Sequence, residues 1–201
     1  MRMRYPKLRE LKEAIRALIK GPYTSRFPFE PHQPYERFRG KPEFRQDDCV
    51  GCGACFQVCP AKAIEMQDVA HKRVLIVHWD LCVFCGQCQA NCLTEKGIML
   101  SCEFDLATTG KREELKQTIE KEFVICDCCG ENIVPRDQLL WVAKKLGPLT
   151  FSNISLMLLY LQNLNLVIEE EPHPEETPEF RRSDRIKVLC PRCRREAVLK
   201  S

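Results

Sequence analysis

CVGCGACFQVCP, residues 49–60, and CVFCGQCQANCL, residues 82–93, decide how this chain is read. Each run spaces its cysteines C-x2-C-x2-C-x3-C, giving Cys49, Cys52, Cys55 and Cys59, then Cys82, Cys85, Cys88 and Cys92. Gaps of two residues let three thiols curl around three corners of one small metal group. Gly51, Gly53 and Gly86 remove side-chain bulk where backbone must approach sulfur. The fourth cysteine leaves that loop and cannot close the same set of corners. A disulfide framework or a pair of zinc sites is the plainer alternative, but a four-cysteine run repeated at one spacing is far more specific than a lone C-x-x-C.

The repeated run resembles the pattern with which two-cluster ferredoxins wrap 4Fe-4S cubanes, where the fourth cysteine ligates the other cluster. The resemblance implies a crossed assignment. Cys49, Cys52, Cys55 and Cys92 would hold one 4Fe-4S cluster, and Cys59, Cys82, Cys85 and Cys88 the second. Pro60 follows the first run as this pattern expects, whereas Leu93 replaces the proline after the second, which loosens a turn but removes no ligand.

Outward from the cysteines, 201 residues set a prior of one or two domains, and an apolar fraction of 44% is ordinary for a globular protein. The N-terminal MRMRYPKLRELKEAIRALIKG has no continuous apolar core and no small-residue cleavage site, so no signal peptide is expected. Fourteen cysteines in such a chain then imply reduced thiols and a cytoplasmic location rather than disulfides. The most apolar stretch, Leu156 to Ile168, is interrupted by Gln162, Asn163 and Asn165 and is shorter than the ~20 residues of a membrane span. A net charge of +3 is too small to argue for nucleic acid. Its distribution is uneven, with twelve Lys and Arg against five acids before residue 46.

Residues 1–44 account for that imbalance. Leu8, Leu11, Ile15, Leu18 and Ile19 fall at helical spacing over residues 7–20, among Lys7, Arg9, Lys12, Arg16 and Lys20, and Gly21-Pro22 ends the pattern. This predicts a basic amphipathic helix, packed on its own domain or resting its apolar stripe on a partner or a membrane surface. Pro22 to Pro42, rich in proline and aromatics without periodicity, reads as an extended docking arm. Residues 45–106 form the cysteine-bearing domain, with strands expected at Ala63–Met66, Arg73–Trp79 and Gly97–Cys102. Alternation places Val74, Ile76, Ile98 and Leu100 inward. A core this small needs its bound groups for stability. Residues 107–121, with charged Lys111 to Glu122, read as a helical connector.

Residues 122–201 have a different cysteine pattern. Cys126 and Cys129 before Gly130, and Cys190 and Cys193 about sixty residues later, are two knuckles able to supply a tetrahedral four-thiolate site. Zinc is the expected occupant, with rubredoxin-like iron or free thiols as alternatives. Helices are expected near Arg136–Leu146 and Asn153–Val167, followed by the acidic, proline-broken loop EEEPHPEETPE. Cys126 and Cys129 before Gly130 fit zinc geometry better than the competing Cys128, and Cys102 reads as a buried strand thiol. His71, His78 and His173 are scattered singly and read as ordinary surface or strand histidines, with tuning of a cluster's potential by His78 the sharper alternative. No Ser-His-Asp constellation, phosphate loop or carboxylate pair is present, so no bond-making chemistry is expected. The architecture expected is α+β: a two-cluster ferredoxin domain with an N-terminal amphipathic helix and extended arm, plus a small zinc-ribbon-like helical domain.

TSRFPFEPHQPYERFRGKP (24–42), followed in order by CVGCGACFQVCP and LCVFCGQCQANC, resembles the ferredoxin-type subunit of membrane-bound NiFe hydrogenases related to respiratory complex I. The C-terminal extension resembles that of the iron–sulfur subunit of formate hydrogenlyase-type complexes, although the first cysteine group there is more widely spaced than Cys126-Asp127-Cys128-Cys129. The resemblance implies an electron relay between an external donor, such as a ferredoxin or a formate dehydrogenase, and hydrogenase small and large subunits. It also implies membrane subunits reached through the N-terminal arm, on the cytoplasmic face. A quinone-reducing complex I, a sulfur-reducing relative and a freely diffusing ferredoxin are the other readings, and a nucleic-acid-binding zinc ribbon the most distant.

Overall fold

The computed structural model describes residues 7–21, 24–166 and 186–199. The chain divides into two compact units, Met1–Arg37 and Phe38–Ser201. The loop EEEPHPEETPE and His173 lie outside the described residues, as does the end of the helix expected to reach Val167.

In the first unit, α1 (Leu8–Lys20) forms where the periodicity expects it. The Glu10 carboxylate accepts from the Lys7 backbone N–H at 3.0 Å, closing the first turn. Gly21, at φ +82°, ends the helix by donating to Ala17 O at 2.9 Å. No residue of α1 is buried, and Leu8, Leu18 and Ile19 are each at least 80% exposed. Residues 24–37 form neither helix nor strand.

The second unit begins with β1 (Pro42–Phe44), which pairs antiparallel with β4 (Ile98–Leu100), Phe44 opposite Ile98. Between them come α2 (Ala54–Gln57), the hairpin of β2 (Ile64–Val69) and β3 (Lys72–His78), and α3 (Gln87–Ala90). A four-stranded antiparallel sheet runs β2-β3-β5-β6, where β5 is Lys116–Ile125 and β6 is Asn132–Pro135. Phe44, Ile64, Leu75, Val77, Ile98 and Ile119 form the main core together with Cys49, Cys55 and Cys88. Beyond β6 lie α4 (Arg136–Leu146), α5 (Ile154–Asn163) and α6 (Pro191–Leu199). The Asn153 side chain caps α5 by accepting from Leu156 N at 3.2 Å, and Pro191 opens α6, where a missing N–H costs nothing.

Three expectations need correction. The helical connector is instead a short turn at Arg112–Glu114 followed by strand β5, whose Lys116–Glu122 pair with β3, Leu75 opposite Ile119. Burial alternates from Ile119 to Phe123, but Lys121 occupies one of the inward positions, which hides the strand period from composition. The expected domain border near residue 121 therefore runs through a strand shared by the ferredoxin-like part and the C-terminal part. On β3 the inward residues are Leu75 and Val77, 1% and 0% exposed, rather than Val74 and Ile76. Val74-Leu75-Ile76-Val77 is apolar throughout, so nothing local chooses its face. Cys102 is exposed, because β4 ends at Leu100 and Cys102 lies in the irregular segment beyond it, where Lys41 N donates to Glu103 O at 2.9 Å.

Candidate metal centres

The two cysteine runs fold into copies of one local shape. Gly51 and Gly53 have φ of +70° and +76°, and Gly53 precedes the short helix α2, which carries Cys55. In the second run, Phe84 and Gly86 take φ of +52° and +79° before α3, which carries Cys88. Lys62 and Glu95, each three residues beyond a fourth cysteine, are left-handed as well, at +51° and +63°. A Cβ on Gly53 would come within 2.7 Å of Met66 Sδ and would have to displace that thioether, while the positive φ itself favours glycine.

Cys49, Cys52, Cys55 and Cys92 line one cavity, and Cys59, Cys82, Cys85 and Cys88 line another. Each fourth cysteine is thus brought to the other run's three. The walls are otherwise apolar, with Ile98 and Leu75 at the first and Val77 and Ile64 at the second. Backbone N–H groups point at sulfur: Ala63 N lies 3.2 Å from Cys59 Sγ and Phe84 N 3.4 Å from Cys82 Sγ. Burial pushes the Cys55 thiol up to about 12 and the Cys88 thiol up to about 11, and raises Cys49 and Cys82. At Cys49, burial is opposed by the Gly51 N–H and by the Lys121 ammonium. At Cys92, burial acts upward, but the Thr94 hydroxyl with the N–H groups of Thr94, Ile98 and Gly97 outweighs it and the thiol is lowered. Four thiols gathered on each apolar pocket, with backbone N–H groups aimed at sulfur, are a donor set that cationic iron would hold as thiolates, so both quartets fit a cubane.

A third set stands where β5 ends. Cys126 and Cys129 lie in the turn after β5, and Cys190 and Cys193 at the start of α6; all four Sγ atoms are within 4.8 Å of one another. Tetrahedral zinc at about 2.3 Å from each sulfur sets sulfurs about 3.8 Å apart, and Cys129 Sγ and Cys190 Sγ stand 3.8 Å apart. Cys190 N donates to Cys126 Sγ at 3.2 Å, and Cys193 N to Cys190 Sγ at 3.4 Å. The arrangement fits a four-thiolate ion. Cys128 is half-buried and packs beside this cluster without joining the quartet.

Sequence reasoning missed the residues that hold this centre. Asp127 Oδ2 accepts from Val188 N at 2.7 Å while Asp127 N donates to Val188 O at 2.9 Å, pinning one knuckle to the other. Ser155 of α5 accepts from Leu189 N at 3.2 Å and from the Arg194 guanidinium. Only the position of Asp127 inside the cysteine group hinted at any of this. Lys121, 6% exposed, was also missed, since lysines in a sequence read as surface. His78 faces Glu65 at 3.4 Å, on the opposite side of β3 from Val77 and its cavity, and His71 Nδ1 meets Asn132 Oδ1 at 2.9 Å in the β2–β3 turn.

Residues 48–96 match the 4Fe-4S dicluster domain family. Over 119 residues the chain is 31% identical to NADH-quinone oxidoreductase subunit I 2 of Geobacter metallireducens, a match covering 54% of this chain and 89% of that protein. The chain belongs to this family of ferredoxin-type iron–sulfur subunits. It is also 38% identical over 119 residues to formate hydrogenlyase subunit 6 of Escherichia coli, covering 57% of this chain and 63% of the relative. To NAD(P)H-quinone oxidoreductase subunit I of Gloeobacter violaceus it is 30% identical over 101 residues, with 47% and 48% covered. The chain thus spans less than two thirds of these last two relatives. Among solved structures, a chain of the membrane-bound sulfane sulfur reductase, an archaeal respiratory membrane complex, is 32% identical with a TM-score of 0.40, covering 56% of this chain and 62% of the other.

Proposed function

We propose that this chain is the electron wire of a membrane-bound, complex I-like hydrogenase, relaying electrons from a low-potential donor to a catalytic NiFe module. Cys49, Cys52, Cys55 and Cys92 hold one 4Fe-4S cluster, and Cys59, Cys82, Cys85 and Cys88 the second. Each cluster supplies one-electron redox chemistry when bound, at a potential set by cluster charge, hydrogen bonds to sulfur and burial. The protein's own work is to place the thiols, aim N–H groups at sulfur and keep water out with Ile64, Leu75, Val77 and Ile98. The observation that carries the reading is the pair of crossed quartets, each around its own apolar cavity and joined through one core.

In this reading the C-terminal quartet Cys126, Cys129, Cys190 and Cys193 binds zinc, with iron as the alternative, in a structural role. The chain sits peripherally on the cytoplasmic side of the membrane. Its partners are hydrogenase small and large subunits, membrane subunits reached through α1 and the arm, and a donor such as a ferredoxin or a formate dehydrogenase. Among the described residues no helix is long and apolar enough to cross a membrane. The similarity to formate hydrogenlyase subunit 6 supports the hydrogenase setting. The 89% coverage of an NADH-quinone oxidoreductase subunit favours a second reading, the equivalent wire of a quinone-reducing complex.

Anaerobic purification of the native complex through a tag on this chain, with identification of its subunits and a hydrogen-evolution assay from a reduced low-potential donor, separates the two. A nickel-containing large subunit and hydrogen production support the first. Membrane subunits without nickel or hydrogen move the wire into a quinone- or sulfur-reducing machine.

A further inference from the structure

Among the described residues Lys121 is the one buried cation. It projects inward from β5, is 6% exposed, and its ammonium donates to Gln46 O at 2.6 Å and to Asp137 Oδ2 at 2.7 Å. A Cβ added to Gly51 would lie 3.1 Å from both Cβ and Cγ of Lys121, so the side chain runs along the Cys49–Cys52 loop. Gln46, which receives the ammonium, is three residues before Cys49. The loop Cys82–Cys85 is met instead by Arg39, an exposed residue that donates to Cys85 O at 3.2 Å, while the half-buried Lys41 lies over the Trp79 ring with its charge paired to both Glu43 and Glu103.

The geometry points to Lys121 as a tuning residue that holds the reduction potential of the cluster on Cys49, Cys52, Cys55 and Cys92 above the value it would otherwise have. The inference rests on the two-cluster reading above. Reduction adds one negative charge to a cluster, and a fixed cation at short range stabilises the reduced form more than the oxidised one. That effect is large where water is excluded and small where solvent screens the charge. Lys121 is on the dry side of this divide and Arg39 on the wet side. Asp137 offsets part of the Lys121 charge, but its side chain is 46% exposed, so water screens the anion more than the cation. Arg73 Nη1 donates to Gly51 O at 3.1 Å and adds in the same direction, although its bidentate pairing with Asp68 spends much of its charge. The two clusters, alike in ligands and loop shape, are thereby made unequal, and the first becomes the one more readily reduced.

The test uses the full chain with its clusters loaded, with iron and sulfide counted before an EPR-monitored redox titration. Lys121→Met keeps the aliphatic stem against Gly51 and removes the charge; one of the two midpoints is expected to move to a more negative value while the other stays. Asp137→Asn leaves Lys121 uncompensated and is expected to move the same midpoint the opposite way, and Lys121→Arg to stay near the parent value. A purely structural lysine would not give shifts of opposite sign in one cluster. If Lys121→Met fails to load, the Asp137→Asn shift decides. Two loaded clusters with unmoved midpoints in the variants overturn this inference alone, whereas a parent chain holding fewer than two clusters overturns the two-cluster reading itself.

Discussion

Cys59 belongs to the first cysteine run yet lines the cavity of the second, and Cys92 does the reverse. Ligand substitutions read this crossing directly. Cys59→Ala is expected to remove the EPR signal that Cys85→Ala removes and to spare the one lost with Cys52→Ala; loss paired with Cys52→Ala would show an uncrossed arrangement. At the third centre, Cys126→Ser is expected to lose one equivalent of metal by elemental analysis, and Cys128→Ser to keep it. The raised thiols give loading a definite pH dependence. Without metal, the folded chain keeps protons on Cys55 up to about 12 and on Cys88 up to about 11, and iron must displace them. Loading therefore strengthens as pH rises, by about tenfold per pH unit for each proton displaced, and proton release during anaerobic reconstitution in weak buffer measures it. For the cluster-free fold the sign is opposite. A thiol whose folded value lies above its ordinary 9.0 contributes stability below that pH, and the contribution is lost as pH climbs from 9.0 toward about 12.

Strand β5 is the element on which the second unit turns. Its Ile119, 3% exposed, belongs to the core between the two cysteine cavities; its Val124 packs with Leu159 and Val188; and the next residue after its end is Cys126. Ile119→Ala is expected to cost about 2–5 kcal/mol. Because β5 pairs with both β3 and β6, the loss should lower one cooperative unfolding transition, read together by cluster absorbance and far-UV circular dichroism. Two separate transitions, with only one shifted, would show that the parts fold independently. The same strand shows where sequence patterning reaches its limit. From Ile119 to Phe123 every second residue points inward, but Lys121 breaks the apolar run, and its burial is possible only because Gln46 and Asp137, distant in sequence, satisfy its ammonium.

For the molecule as a whole, α1 leaves its apolar stripe in water, with Leu11 and Ile15 about half exposed and Leu8, Leu18 and Ile19 more so. A basic helix with that face is suited to an anionic surface. Deleting residues 1–21 is expected to leave cluster content unchanged and to abolish flotation of the chain with liposomes containing anionic lipid; flotation that survives the deletion would place the contact elsewhere. What sequence alone determined is local: the thiols of each loop, the positive-φ glycines between them and the periodic helices α1 and α4, all set by reach or period within a few residues. Tertiary structure decided the rest. It chose which cavity each fourth cysteine enters, which face of Val74–Val77 is buried, that Lys116–Ile125 is a strand, and that the cysteine-rich end shares a sheet with the ferredoxin-like part. Each of those outcomes depends on pairing or desolvation between residues far apart in the chain, and such partners leave no mark on the local pattern.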